Sequence, residues 1–307
     1  MPGPDAAELA TSIKEAFSLV GNEVRATILT TLAVGEDDSV RTPTATGSGT
    51  AEPTFSFSEL RERVDPSMDS SQFNYHLQRL VPTFVVKDED GYRLHPRGIK
   101  LYRAIAAGTY TREAVLAPIE AGFDCHFCNS PVVGRYEDDR FTIRCPTCRH
   151  RYASHLLPPS VVDDKTDLFR RVDRVTRATL SAVADGVCPT CLNELDGDLL
   201  AAEDADVEDV HLDVVVARHC SRCGDRWFAS VGEMLVHDAE LIGFASERGL
   251  DVTTTPTWEM PFVATDRHMT VESRDPWRLT LAVPVAGDIL SLTVDASLSV
   301  VESKIES

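Results

Sequence analysis

Lysine is scarce in this sequence: Lys14, Lys87, Lys100, Lys165 and Lys304 are five of its 30 basic residues, and the rest are arginine. Basic charge is also outnumbered, since 49 Asp and Glu leave a formal net charge of −19 over 307 residues. No apolar run approaches the roughly 20 residues that a membrane-spanning helix needs. The stretch after Met1 is polar and acidic, with no charged-then-apolar signal, so a cytoplasmic location is expected. A glycine-rich phosphate loop is missing. His211, His219, His237 and His268 offer acid–base groups, but no spacing joins a nucleophile to a base. No catalytic residues, and therefore no enzyme, are predicted. Cysteine is absent from residues 1–124.

What cysteine there is follows one rule. All eight residues fall in C-x-x-C knuckles, arranged as two successive pairs: Cys125/Cys128 with Cys145/Cys148, and Cys188/Cys191 with Cys220/Cys223. Sixteen residues separate the first two knuckles and 28 the second two. This is zinc-ribbon logic: a tight turn aims two thiolates at one metal, and two knuckles complete a tetrahedron. Four thiolates leave no position for water, so two structural Zn(2+) ions are predicted. Disulfides suit secreted chains, and a redox C-x-x-C usually stands alone near a βαβ pattern. Iron or an iron–sulfur cluster is the minor alternative.

The combination of abundant carboxylate and little lysine resembles proteins of extreme halophiles, in which molar salt screens the self-repulsion of an acidic surface. The charge is uneven. Residues 54–112 carry nine Arg and Lys against seven Asp and Glu, whereas residues 156–307 carry 13 against 28. If part of the chain approaches nucleic acid, the first half does so.

That half is patterned as helices followed by a hairpin. Leu9, Ile13, Phe17, Val20, Val24, Ile28 and Leu32 recur at helical spacing, with a break at Gly21-Asn22. Residues 36–54 have almost no large apolar side chain and read as a flexible insertion. Ser56 or Ser58 can cap a helix running through Val64, and Asp69 or Ser70 another running to Leu80. On this last helix Phe73, Leu77 and Leu80 share one face. Ser71, Gln72, Tyr75, Gln78 and Arg79 occupy the other, with Asn74 and His76 flanking; His76 reads as a packing residue. Amides, hydroxyls and an arginine are what base-edge and phosphate reading require. Short strands at 84–87 and 92–95 enclose an acidic turn, and a helix opened by Pro96 runs to Ala107.

The segments FSLVGNEVRATILTTL, SFSELRERV, SSQFNYHLQRLVPTFVV and DGYRLHPRGIKLYRAI together resemble an ArsR-like winged helix-turn-helix over residues 9–110. The whole chain resembles haloarchaeal transcriptional regulators that carry this domain ahead of zinc ribbons. The resemblance implies double-stranded DNA as partner, a homodimer, and reading by Ser71, Gln72, Asn74, Tyr75 and Arg79. The tip residues Asp88, Glu89 and Asp90 oppose phosphate contact, which leaves Arg93 and Arg97 at the base of the hairpin as candidates. Metal sensing does not carry over, because the helices that would hold the inducer lack cysteine. A winged fold can also bind protein. The second reading is an adaptor resembling archaeal transcription factor E, which would engage the transcription machinery without reading a site.

The expected architecture is therefore multidomain α+β: the winged unit at 9–110, a first ribbon at 119–158, a connecting helix at 165–184, a second ribbon at 185–230 and an acidic, strand-rich domain at 231–307. Arg144, Arg149, His150 and Arg151 crowd the first cluster and either bind phosphate or pair with Glu137, Asp138 and Asp139. The connecting helix, despite Arg170, Arg171, Arg174 and Arg177, is expected to act as a packed spacer. Residues 231–248 read as one helix, and the remainder, including TWEMPFVA, as strands with Trp258, Phe262 and Trp277 in the core.

Overall fold

The computed structural model describes residues 14–34, 53–205, 207 and 211–307. Leu9, Ile13 and positions 36–52 of the expected insertion lie outside the described residues. The chain divides into two compact units, Pro4–Arg112 and Glu113–Ser307.

In the first unit, residues 14–20 are helical (α1), and the break at Gly21-Asn22 leads into α2 (Glu23–Val34). Ser56 opens α3 (Phe57–Val64) with a capping box: its hydroxyl accepts from Glu59 N, while the Glu59 carboxylate accepts from Ser56 N. Asp69 caps α4 (Ser70–Leu80), accepting from the backbone of Ser71 and Gln72. Strands β1 (Val85–Lys87) and β2 (Tyr92–Leu94) pair antiparallel, and Phe55 bridges to Tyr92 alongside. Helix α5 (Pro96–Ala106) follows, its start capped by His95 Nδ1 accepting from Arg97 N. Ile28, Leu32, Leu60, Phe73, Leu77, Leu80 and Val85 are fully buried and form one core. Gly91 has φ 137°, and a Cβ there would collide with the Phe55 carbonyl, so both conformation and space require glycine. The acidic hairpin tip has a local cause: Asp88 accepts from Asp90 N, Gly91 N and Arg93 Nε, which closes the turn.

Among the described residues the second unit contains three antiparallel sheets. The first is a meander of β3 (Leu116–Asp124), β4 (Pro131–Glu137), β5 (Arg140–Arg144) and β6 (Arg151–Leu156). Asp138 and Asp139, with φ of 50° and 55°, form the two-residue turn between β4 and β5. Helix α6 (Leu168–Ala184) begins three residues later than expected, after Asp167 in a left-handed conformation. Next come β7 (Asp196–Ala201), β8 (Val214–His219) and β9 (Arg226–Ala229).

Two expectations for the C-terminal region need correction. Residues 231–248 form two helices, α7 (Val231–Leu235) and α8 (Ala239–Glu247), because Asp238 caps a new start by accepting from Glu240 N and Leu241 N. The stretch TWEMPFVA contains no strand: a short 3-10 turn (Thr257–Glu259) and α9 (Pro261–Ala264) occupy it, both preceded or opened by proline. Trp258 and Phe262 are buried as expected, whereas Trp277 is half-buried. The third sheet is an ordered meander of β10 (Met269–Arg274), β11 (Trp277–Val285), β12 (Asp288–Asp295) and β13 (Val300–Glu306).

The hydrophobic clusters of this unit cut across the four segments anticipated for it from sequence. One joins Cys125, Tyr136, Phe141 and Cys145 to Leu168 and Val172 of α6 and to Trp258. The other joins Cys188, Cys220, Val214 and Val216 to Met234, Phe244 and the third sheet through Leu281 and Leu292. Among the described residues no helix is long and apolar enough to cross a membrane.

Candidate metal centres and exposed helix face

The four knuckles share one backbone geometry. The amide of the first cysteine donates to the carbonyl five residues on, and the amide four residues on donates back to that cysteine's carbonyl. These pairs are Cys125–Ser130 and Asn129–Cys125, Cys145–His150 and Arg149–Cys145, Cys188–Asn193 and Leu192–Cys188, and Cys220–Asp225 and Gly224–Cys220, all between 2.8 and 3.0 Å. The residue after each second cysteine has positive φ: Asn129 58°, Arg149 69°, Leu192 60° and Gly224 78°. Glycine and asparagine adopt this conformation readily; leucine does so at a cost of about 1–2 kcal/mol. Leu192 is 78% exposed, so little packing compensates for it. Leu192→Asn is therefore expected to raise the unit's stability by about 1 kcal/mol, read as a shift in the denaturation midpoint.

The turns gather the sulfurs into two groups, Cys125/Cys128/Cys145/Cys148 and Cys188/Cys191/Cys220/Cys223, each with all four Sγ atoms within 4.8 Å of one another. Across the knuckles, Cys125–Cys148 and Cys188–Cys223 are 3.6 Å apart, Cys128–Cys145 3.4 Å and Cys191–Cys220 3.5 Å. A tetrahedral ion with metal–sulfur bonds of about 2.3 Å needs sulfurs about 3.8 Å apart, so the donor sets fit zinc. In both groups the first cysteine of each knuckle is buried.

The surroundings of the first group were not legible in the sequence. Tyr152 on β6 donates its hydroxyl to Cys125 Sγ at 3.3 Å and accepts from His126 N at 2.9 Å. His126 bonds the Trp258 carbonyl at 2.8 Å, and His211 bonds the Cys148 carbonyl at 2.8 Å while its own amide donates to His150 Nδ1. Two histidines weighed as acid–base material or phosphate ligands thus hold backbone in place. Burial pushes His150 down to about 3, so it stays neutral. Of the carboxylates considered as partners for the nearby arginines, Glu137 pairs with Arg135 of the same strand, and Asp139 accepts from Tyr136.

A cleft of about 510 Å³ is lined by residues of β6, α6, β9 and α7, among them His155, Thr176, Trp227 and Glu233. Burial pushes Glu233 up to about 7, although Ser230 donates a backbone hydrogen bond to its carboxylate. A carboxyl with a raised folded value binds more protons in the native state, so its contribution to stability is complete below about 4.5 and is lost as pH rises toward 7. Glu233→Gln, which keeps an acceptor for Ser230, is expected to gain on the parent by on the order of 2 kcal/mol between pH 5.5 and 8. Paired thermal melts across that range check this.

Helix α4 divides cleanly. Phe73, Leu77 and Leu80 have 0% exposure, while Ser71, Gln72, Asn74, Tyr75, Gln78 and Arg79 are all exposed, Tyr75 at 58%. His76 between the faces is half-buried, and its Nδ1 has no hydrogen-bond partner among the described residues. Two candidate residues are already engaged: the Ser71 hydroxyl donates to Asp69, and Arg93 pairs with Asp88 at 3.1 Å. Arg97 is exposed at the start of α5.

Residues 13–105 match the family described as a domain of unknown function, DUF7347. No curated protein and no solved structure matches the chain. Residues 122–300, more than half of the chain, match the family described as a domain of unknown function, DUF7351, and the chain belongs to that family.

Proposed function

We propose that the chain is a DNA-binding transcriptional regulator of ArsR-like winged helix-turn-helix type, braced by two structural zinc ions. In this reading α3 and α4 are the helix-turn-helix, α4 enters the major groove, and β1 and β2 are the wing. The observation that carries it is the exposed face of α4. Five polar or aromatic donors and acceptors plus Arg79 line it, with no carboxylate among them, on a chain whose formal charge is −19. Gln72 and Asn74 can bond adenine edges, and Arg79 a guanine edge or a phosphate. Arg97 would meet the backbone. Ser71 serves first as part of the cap, and Arg93 is tied to the wing turn, so both rank below Gln72, Asn74, Tyr75 and Arg79.

The small number of cations fits this role in concentrated salt. Each phosphate neutralised adds about −0.9 to the slope of log affinity against log salt, so a protein working in molar salt gains from few ion pairs and close base contact. A homodimer would place two copies of α4 about 34 Å apart, one turn of DNA. The zinc ions, each held by four thiolates with no open position, would fix the fold and take no part in chemistry.

Enrichment of bound duplexes from a random library at high salt tests the reading. A recovered motif, with affinity reduced about 10- to 100-fold by Arg79→Ala and by Gln72→Ala, is the expected result. Equal retention of all sequences by parent and variants would favour the adaptor instead.

A further inference from the structure

The third sheet of the second unit ends in a strand that is unlike the rest. Its inner face is fully buried along β11 and β12, at Leu279, Leu281, Val283, Leu290, Leu292 and Val294. The register continues that face onto β13, where Leu292 opposes Ser303 and Leu290 opposes Ile305. There the cover stops: every residue from 301 to 306 is exposed, and Val301 and Ile305 are each 49% exposed. No strand pairs with the outer side of β13 among the described residues. The opposite edge is finished differently, since the inward residues Met269 and Val271 of β10 pack on the core.

The sequence of β13, VVESKIE, is complementary to itself when two copies run antiparallel about Ser303. In that register Glu302 faces Lys304 of the other copy, and Val301 faces Ile305, each pair occurring twice. Opposite charges and apolar pairs directly across neighbouring strands are favourable, and like charges there are unfavourable. Of the registers that centre on a residue of β13, this one brings the strand's single lysine onto a glutamate and its two uncovered apolar side chains onto each other. Glu302 and Lys304 each have a partner within the chain, Arg278 at 3.0 Å and Glu306 at 2.5 Å, and both lie at the surface where such pairs exchange readily.

We propose that β13 is the contact through which two copies of the chain associate, antiparallel about Ser303, joining two four-stranded sheets into one of eight strands. The contact is independent of the DNA reading. It continues hydrogen bonding past an open edge and covers Val301 and Ile305, and high salt favours it by screening the repulsion between two acidic chains.

The test uses the full, zinc-loaded chain. Light scattering in molar salt should give twice the chain mass of 33.7 kDa. A short bismaleimide should convert Ser303→Cys, at the centre of the register, to a covalent dimer. The parent, and Ser273→Cys on β10, should not be converted. At reduced salt, where direct pairs are least screened, Glu302→Lys should weaken association about tenfold, and the exchange Glu302→Lys with Lys304→Glu should restore it. Because positions 301 to 305 are exposed, metal content and circular dichroism should match the parent in every β13 variant. A monomeric parent would overturn the proposal, as would a dimer whose mass survives Val301→Lys with Ile305→Lys, or one that crosslinks at position 273 and not at 303.

Discussion

Replacing one metal-facing thiol, as in Cys145→Ser or Cys220→Ser, is expected to unfold most of the second unit while sparing the first. Binding free energy at a four-thiolate zinc site is on the order of 10 kcal/mol and is folding free energy, since no such site exists in the unfolded chain. That is comparable to the whole stability of an ordinary domain, about 5–15 kcal/mol. The effect should spread because each cluster belongs to a larger core. Cys188 and Cys220 pack in one group with Met234, Leu281 and Leu292, and Cys125 and Cys145 in another with Leu168 and Trp258. The unit at Pro4–Arg112 has no cysteine and its own core, so its helices should persist. Metal analysis should find two zinc ions per chain, and a strong chelator should reproduce the substitutions, removing the β signal of residues 113–307 and retaining helical signal. Fewer than two tightly held ions, or a fold indifferent to the chelator, would refute this.

The second large effect concerns Asp173 and Arg177 on α6. Arg177 Nε donates to Asp173 at 2.8 Å, with only 11% and 6% of the two side chains exposed. The same guanidinium donates to the carbonyls of Val252 and Thr255, and the other Asp173 oxygen accepts from Thr257 N at 3.0 Å. One ion pair thus fastens the segment leading to buried Trp258. Asp173→Ala would leave a buried guanidinium without its counter-charge and an amide without its acceptor, a loss of about 3–5 kcal/mol. Replacing both by apolar residues, Asp173→Leu with Arg177→Met, should cost less than Asp173→Ala alone, because the unpaired charge disappears with its partner. Denaturant titration of the single and double variants measures this. Equal loss in both would show that the carbonyl contacts of Arg177 dominate.

The case of Arg177 also illustrates what a sequence conceals. The helix was expected to pack as a spacer despite its four arginines, and Arg177 takes part in that packing: it turns inward to an acid four residues before it. That i,i+4 spacing was visible; the carbonyls that complete the site come from residues 252–255, which no local pattern connects to α6. The same division holds elsewhere. Capping residues, helix faces and the C-x-x-C knuckles were legible because each depends on neighbours within five residues. The hydroxyl of Tyr152 on Cys125 and the hold of His211 on Cys148 were not, because they join residues 27 and 63 positions apart. The single helix expected at 231–248 failed at Asp238, where an N-cap outweighed a continuous apolar pattern. The strands expected in TWEMPFVA failed at Pro256 and Pro261, which cannot donate to a sheet. Leu192 and Arg149 in positive-φ positions follow no residue preference; they take the conformation that Asn129 and Gly224 announce because the cluster's geometry repeats.

DNA reading by α4 can be measured by mapping where the tagged protein crosslinks to the genome in its own cells at their native salt, beside the Arg79→Ala variant. Discrete peaks sharing a motif with two-fold symmetry are expected, lost in the variant while the protein remains folded and zinc-loaded. Diffuse occupancy of active promoters, unchanged by Arg79→Ala, would contradict it and assign the chain to the transcription machinery.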